Sequence, residues 1–447
     1  MRDRRRLLLA TLLLVAGACV PDPPAQTTIP PGRSAALAEP AASPSPATSC
    51  RPKANDFDPS LADTGWEKRI AALVRNHTVG VAVGLSGDLV YSHDAHRARI
   101  PASNQKLLLS FALFDRFGPH YRIPTSAAAT SVENGTVEGD LWILGRGDPT
   151  LTAREPGYWG NVEATTLARL AEMIKRAGIK EVDGRLMAAA DYFARDLDAP
   201  GWQPYVPHQY VQTLSSLVLR GNHVHRKPER AVAAALMREL ERVGVSVNGA
   251  SGSGKPPTTL SRIARVRSRP LAEIVAYMNR TSNNFFAEML GKLLGAELFD
   301  PPGTIAKGAR AIAAWTSAQG VEAVAHDSSG LSYKNRVSPE AIVELLGVAE
   351  TMPWGVPLRD SLPGPNEGTL RYRLPGLAVH AKTGTLFNGA SALSGWVRST
   401  RDGRWIAFSI LDRNAPKAIE DRIVRIISRA RVRTGPPDKG EVCDSSP

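Results

Sequence analysis

Residues Pro101-Ala102-Ser103-Asn104-Gln105-Lys106-Leu107-Leu108-Leu109 place a serine three positions before a lysine at the head of an apolar run. On a helix, positions i and i+3 share a face, so the Ser103 hydroxyl and the Lys106 amine become neighbours. A lysine held there takes the hydroxyl proton if burial or a nearby cation lowers its pKa. Ser-x-x-Lys also arises about once or twice by chance in a chain of this length. Taken alone, the stretch is better read as a helix with a solvated lysine.

Two later stretches change its meaning. Asn279-Arg280-Thr281-Ser282-Asn283-Asn284 contains Ser-x-Asn. Ser282 is suited to relay a proton between Lys106 and a leaving amine, and Asn284 to orient Lys106 and hold a substrate amide. The same residue types also favour helix caps. Ala381-Lys382-Thr383-Gly384-Thr385-Leu386 follows. On an edge strand Lys382 and Thr385 are expected to face a cleft, with Gly384 admitting substrate backbone. Lys382 would attract a carboxylate that neighbouring hydroxyls then fix. A turn between strands fits these residues as well. It is the order of the three stretches, rather than any one of them, that carries information.

The flanking sequence supplies the architecture. Trp66, Ile70, Leu73 and Val74 recur at helical spacing, and Val79 to Leu85 reads as a buried strand turning at Ser86-Gly87-Asp88 into a partner strand. Near the other end, Ala392–Arg398 and Trp405–Leu411 read as strands joined through Asp402-Gly403. Ile419, Ile423, Ile426, Ile427 and Ala430 mark one face of a last helix. Both ends supply helix and antiparallel sheet, which predicts one α/β (α+β) domain closed by its termini, with the middle of the chain inserted. The expected division is 1–18 signal peptide, 19–57 tether, 58–120 first part of the domain, 121–265 insert, 266–433 second part, and 434–447 tail.

The chain has 447 residues, 43% hydrophobic and 22% charged, which excludes wholesale disorder and a multi-span membrane protein. Met1 to Arg6 is basic and Leu7 to Ala18 is apolar, the pattern of an export signal. Twelve residues are too few to span a bilayer, which takes about 20. Cys19 directly after Val15-Ala16-Gly17-Ala18 resembles a bacterial lipobox, which predicts a lipid anchor at a membrane surface; cleavage after Ala18 without lipid is the alternative. The remaining cysteines, Cys50 and Cys443, are then expected to pair in an oxidising compartment. Lys+Arg exceeds Asp+Glu by 55 to 43, giving +12 spread along the chain, which suits an anionic envelope surface rather than nucleic acid. None of the nine histidines lies in a ligand cluster, and no nucleotide-binding glycine pattern follows a strand. No metal or cofactor is expected.

Ser-x-x-Lys, Ser-x-Asn and Lys-Thr-Gly in this order form the set described for penicillin-binding proteins and β-lactamases. The sequence resembles more narrowly the D-alanyl-D-alanine carboxypeptidase/endopeptidase family, the class C low-molecular-mass (type-4) penicillin-binding proteins. Gly147-Asp148-Pro149-Thr150-Leu151, Gly201-Trp202, Leu214-Ser215-Ser216-Leu217 with Asn222, Asp327-Ser328-Ser329-Gly330-Leu331-Ser332, Val337-Ser338-Pro339 and Gly368-Thr369-Leu370 with Arg373 carry that likeness. It covers most of the chain from about 60 to 430.

The resemblance implies a serine β-lactamase/transpeptidase-like domain, an antiparallel sheet with helices on both sides, interrupted by an inserted mixed α/β domain. It implies Ser103 as the acylated nucleophile, Lys106 as its base and Ser282 as proton relay. Asn284 would position Lys106 and substrate, while Lys382, Thr383 and Thr385, with Gly384 between them, meet the terminal carboxylate. The backbone N–H groups of Ser103 and Thr385 would form the oxyanion hole. Peptidoglycan stem peptides are the implied substrates, and β-lactams the implied mimics. Asn283 and Glu367 stand where many relatives carry Asp. The other readings are a β-lactamase-like hydrolase, which the long stretch between Ser103 and Ser282 disfavours, and an idle or slow penicillin-binding module serving as sensor or scaffold.

Overall fold

A computed structural model describes residues 65–433. The expected signal, Cys19, the 19–57 tether, the Cys50–Cys443 bridge and the 434–447 tail lie outside these residues.

The run Val79-Gly80-Val81-Ala82-Val83-Gly84-Leu85 alternates large and small residues, and the fold uses both sets. It forms strand β1 (Thr78–Leu85), buried everywhere but at Thr78. Successive side chains point to opposite faces. One face of β1 therefore presents valines and Leu85, and the other glycines and Ala82. The hairpin partner is β2 (Asp88–His93). From the far end of the chain come β3 (Val379–Thr385), β4 (Ala390–Arg398) and β5 (Trp405–Arg413). The sheet order is β3-β4-β5-β1-β2, antiparallel throughout, with Thr78 opposite Arg413 and Gly84 opposite Ala407. The β4–β5 connection is longer than a two-residue turn: it runs from Ser399 to Arg404, which are joined by a backbone bond of 2.8 Å, and Gly403 takes φ 73°.

The helices packed on and around this sheet include α1 (Trp66–Val74), α2 (Gln105–Phe117), α3 (Leu271–Thr281), α4 (Asn284–Phe299), α5 (Pro339–Thr351) and α6 (Lys417–Arg429). The large-residue face carries α1 and α6. There Trp66, Ile70 and Val74 pack with Ile419, Ile423, Val424 and Ile427 over Val81, Val83, Phe408 and Ile410. The small-residue face lets α5 lie close, with Ile342, Val343 and Leu346 sharing a cluster with Ala82, Ala407 and α2. Every residue of α2 from Gln105 to Phe114 is buried, so this helix forms the centre of that layer.

Residues 124–267 build a second five-stranded sheet and a small four-stranded one. The first and last strands of the larger sheet, Pro124–Ala129 and Ser261–Arg267, are neighbours, with Pro124 opposite Arg267. The chain thus departs from and returns to the first domain at one point. Helices Leu167–Arg176 and Pro228–Arg242 cover this sheet with Leu167, Leu170, Leu236 and Leu240. Among the described residues no helix is long and apolar enough to cross a membrane.

Candidate active site

Ser103 sits in a single 3-10 turn, Ala102–Asn104, that leads into α2. Ala102 is held at φ 47°, a left-handed conformation that alanine rarely takes and that accumulates at functional sites. Backbone crowding maintains it. A Cβ on Gly330 would fall 1.9 Å from the Ala102 carbonyl oxygen, and one on Gly384 would fall 3.0 Å from Ala102 Cβ. Asn104 Nδ2 donates to Ser394 Oγ at 2.7 Å and ties the turn to β4.

Lys106 lies one turn along and is fully buried. Its Nζ is 3.1 Å from Ser103 Oγ, 2.8 Å from Asn284 Oδ1 and 2.6 Å from the Ser329 carbonyl oxygen. The last two are fixed acceptors that occupy two N–H groups. The third position points at Ser103, where it carries a proton in the ammonium form and a lone pair in the free amine. Burial pushes this amine down to about 7, against the upward pull of the Asp327 and Glu288 carboxylates.

The Ser329 carbonyl is aimed by two buried carboxylates. Asp327 accepts from Gly330 N at 2.9 Å, Ser332 N at 2.8 Å, Asn335 Nδ2 at 2.7 Å and Trp202 Nε1 at 2.7 Å. Glu288 accepts from Ser328 N and Ser329 N, and burial together with the Asp327 charge pushes it up to about 8.

Ser282 and Asn284 occupy the junction between α3 and α4. Ser282 ends α3 at φ 54°, and Asn283 caps α4 by accepting from Phe286 N at 3.0 Å. Asn283 supplies the cap, while its neighbour Asn284 accepts from Lys106 Nζ. Asp or Asn serves equally as such a cap, which accounts for Asn283 in place of Asp.

Lys382 is fully buried, and its Nζ donates to Ser282 Oγ at 3.0 Å and to the Thr383 carbonyl at 2.8 Å. Burial, reinforced by the Lys106 charge, holds its amine well below the usual range. Strand alternation separates residues three apart, so Lys382 and Gly384 share the face of the Ala102–Asn104 turn while Thr383 and Thr385 alternate with them. Thr383 Oγ1 donates to Thr369 Oγ1 at 2.8 Å. Thr385 reaches the cleft from the strand end, and its Oγ1 accepts from Lys417 Nζ at 2.6 Å.

Ser103, Ser282, Asn284 and Thr385 all border one cavity of about 210 Å³. Its outer wall is aromatic: Tyr205, Tyr210 and Phe387 meet edge to face with centroids 5.6–6.2 Å apart, and the Tyr205 and Tyr333 hydroxyls lie 3.0 Å apart.

Other segments that carry the likeness are structural. The buried Asp148 carboxylate accepts from Thr150 N, Thr150 Oγ1 and Thr165 Oγ1. Arg373 pairs with Glu420 and Asp421. Sequence reasoning did not assign the Ser329 carbonyl, Glu288, Lys417 or the aromatic wall. Ser329 lies inside a quoted segment and Glu288 just beyond one; the others lie in loops and at a helix end with no periodic signal.

The chain matches the D-Ala-D-Ala carboxypeptidase 3 (S13) family over residues 68–226 and 223–430. It is 29% identical over 467 residues to the D-alanyl-D-alanine carboxypeptidase of Actinomadura sp. (strain R39), spanning 82% of this chain and 83% of that one. It is 28% identical over 394 residues to carboxypeptidase DacB of Mycolicibacterium smegmatis, spanning 80% and 82%. Its fold is shared with the crystal structure of penicillin binding protein 4 (dacB) from Haemophilus influenzae, at TM-score 0.67 and 19% identity over 80% of this chain and 98% of that one. The family match runs through all three motifs and through the sheets between them, and the chain belongs to the D-Ala-D-Ala carboxypeptidase 3 (S13) family.

Proposed function

We propose that Ser103 is the nucleophile of a serine-type D-Ala-D-Ala carboxypeptidase and that Lys106 is its base. The observation that carries this reading is the placement of Lys106 Nζ: two fixed acceptors hold it, and its third position faces Ser103 Oγ at 3.1 Å.

The reaction follows from these contacts. The free amine of Lys106 takes the Ser103 proton as Oγ attacks the carbonyl carbon of the penultimate D-Ala. The oxyanion is received by the N–H groups of Ser103 and Thr385; such donors are worth roughly 2.7–4 kcal/mol each. The C–N bond breaks and the leaving amine gains a proton through Ser282, which Lys382 orients. Asn284 keeps Lys106 in place, and Thr383 and Thr385 flank the terminal carboxylate. Water then attacks the ester, gives up a proton, and Ser103 leaves with its proton restored. A β-lactam acylates Ser103 in the same way, but its amine remains tethered to the acyl group.

Residues 58–120 and 266–433 form the catalytic domain in this reading, and 121–265 an insert that steers polymeric substrate. The substrate lies in the cell envelope outside the cytoplasm. The basic start, Leu7–Ala18 and Cys19 support export and lipid anchoring. Mass analysis of the processed N-terminus tests the anchor.

Labelling with fluorescent penicillin, beside Ser103→Ala, tests the core of the reading. Labelling lost in the variant is the expected result; an unlabelled, folded wild-type chain would overturn it.

A further inference from the structure

Lys382 is the residue that the motif offers to a substrate carboxylate, yet its amine is enclosed and committed to Ser282 Oγ and the Thr383 carbonyl. A second amine lies at the same strand end. Lys417 is exposed, and its Nζ is 2.6 Å from Oγ1 of Thr385, which borders the cavity together with Ser103.

We propose that Lys417 is a second cation of the carboxylate subsite, receiving the terminal carboxylate of the substrate together with the Thr385 hydroxyl. This rests on the reading of Ser103 given above and extends it to a residue outside the three motifs.

Three observations support it. First, Lys417 opens α6, where the helix dipole disfavours a cation, so helix stability does not account for a lysine there. Second, Lys417 makes no ion pair among the described residues. Glu420, one turn along, is taken by Arg373 and by Ser391 Oγ, and Asp412 accepts from Ala415 N. The ammonium is thus held by a neutral hydroxyl; Asp412 feels its charge, but burial and the Glu420 charge push that carboxyl up to about 8, so at neutral pH it offers Lys417 little counter-charge. Third, the position is built in. The β3–β4 turn and the β5–α6 loop lie at one end of the sheet, joined by Asn414 N donating to the Gly389 carbonyl at 2.8 Å. Register places Thr385 opposite Ser391 and Ala390 opposite Arg413, so the start of α6 is brought beside the end of β3.

The chemistry is that of charge-assisted recognition. Thr385 Oγ1 now donates to the Gly384 carbonyl at 2.7 Å and accepts from Lys417. An arriving carboxylate takes the hydroxyl proton of Thr385 as a hydrogen bond and lies within reach of the ammonium. Charge reaches the substrate from the solvent side, where desolvation is small, and Lys382 remains with Ser282.

The test uses two ligands on the full chain. One is a peptide ending in D-Ala-D-Ala. The other is an N-acylated boronic acid analogue of D-Ala, which adds to Ser103 Oγ and carries no carboxylate on the leaving-group side. In Lys417→Met, KM for the peptide is expected to rise roughly tenfold with kcat little changed. Boronic acid affinity is expected to stay at the wild-type value, and Lys417→Arg to keep most of the peptide binding. Equal weakening of both ligands would make Lys417 a brace for the strand, and no change in either would place it outside the subsite; each result overturns the proposal. A wild-type chain that binds neither the boronic acid nor fluorescent penicillin would instead overturn the Ser103 reading beneath it.

Discussion

Lys106 Nζ lies 2.6 Å from the carbonyl oxygen of Ser329, a backbone acceptor that no change of pH can protonate in the working range. With Asn284 Oδ1 as the second fixed acceptor, the amine keeps one orientation in both protonation states. Only the bond to Ser103 changes character as the proton moves. The amine is therefore pre-aimed, and the network that aims it, Asp327 and Glu288, is buried beneath it.

Lys106→Met retains the length of the side chain and removes the amine. Acylation by penicillin is expected to fall about 10³-fold, within the usual span for loss of a general base. Stopped-flow measurement of the second-order acylation rate checks this, with thermal unfolding showing that the chain remains folded.

Acylation should follow the free-amine fraction of Lys106. The amine is pushed down to about 7 by burial, so the rate is expected to rise with pH up to that point and level off above it. Below it, each pH unit costs about tenfold, because the ammonium cannot accept the Ser103 proton. The Asp327 charge favours the ammonium, so Asp327→Asn is expected to move the rising limb to lower pH. Acylation rates measured from acid to mildly basic pH decide both points.

Asn283 acts through its cap on α4 and not through contact with the cavity. Asn283→Asp should preserve stability and acylation. Asn283→Ala should lose about 1 kcal/mol of stability, the usual cost of removing such a cap. Denaturant unfolding of the two variants gives the comparison.

Gly330 lies against the Ala102–Asn104 turn at φ 86°, a conformation that a Cβ disfavours even without a neighbour. Gly330→Ala drives a methyl into the Ala102 carbonyl and displaces Ser103. A shift near 1 Å at a reacting group costs about 100-fold, and that loss of acylation is expected here. Near-wild-type acylation in a folded Gly330→Ala chain would show that the turn is less constrained than its packing implies.

Much of this was legible in the amino-acid sequence because it depends on local pattern. The alternation from Val79 to Leu85, the helical spacing from Ile419 to Ile427 and the three short motifs each specify an element or a residue pair by spacing alone. The architecture with helices on both faces of an antiparallel sheet is the observed one. What spacing does not convey is which distant backbone meets a side chain. Ser329 contributes through its carbonyl, for which any residue would serve, so its identity carries no mark. Lys417 follows Pro416 in a loop-to-helix junction and becomes relevant only through the register of β3 on β4 and β4 on β5. Tyr205 and Tyr210 flank one short helical turn, and Phe387, far along the chain, meets them only in three dimensions. The Lys382–Thr385 pair shows the limit from the other side. Strand alternation alone assigns them to opposite faces, and the cleft unites them because Thr385 is the last residue of its strand.

Strand β1 is among the first parts of the catalytic sheet to leave the ribosome, and its partner β5 among the last. Ser103 and Lys106 are synthesised together and early, but the groups that aim and assist them, Asn284, Ser329 and Lys382, follow far behind. A growing or threaded chain thus carries the serine and the lysine without the environment that lowers the amine's proton affinity. The finished arrangement around Ser103 and Lys106 therefore waits for completion of the polypeptide, which puts a delay between synthesis of the pair and assembly of its surroundings.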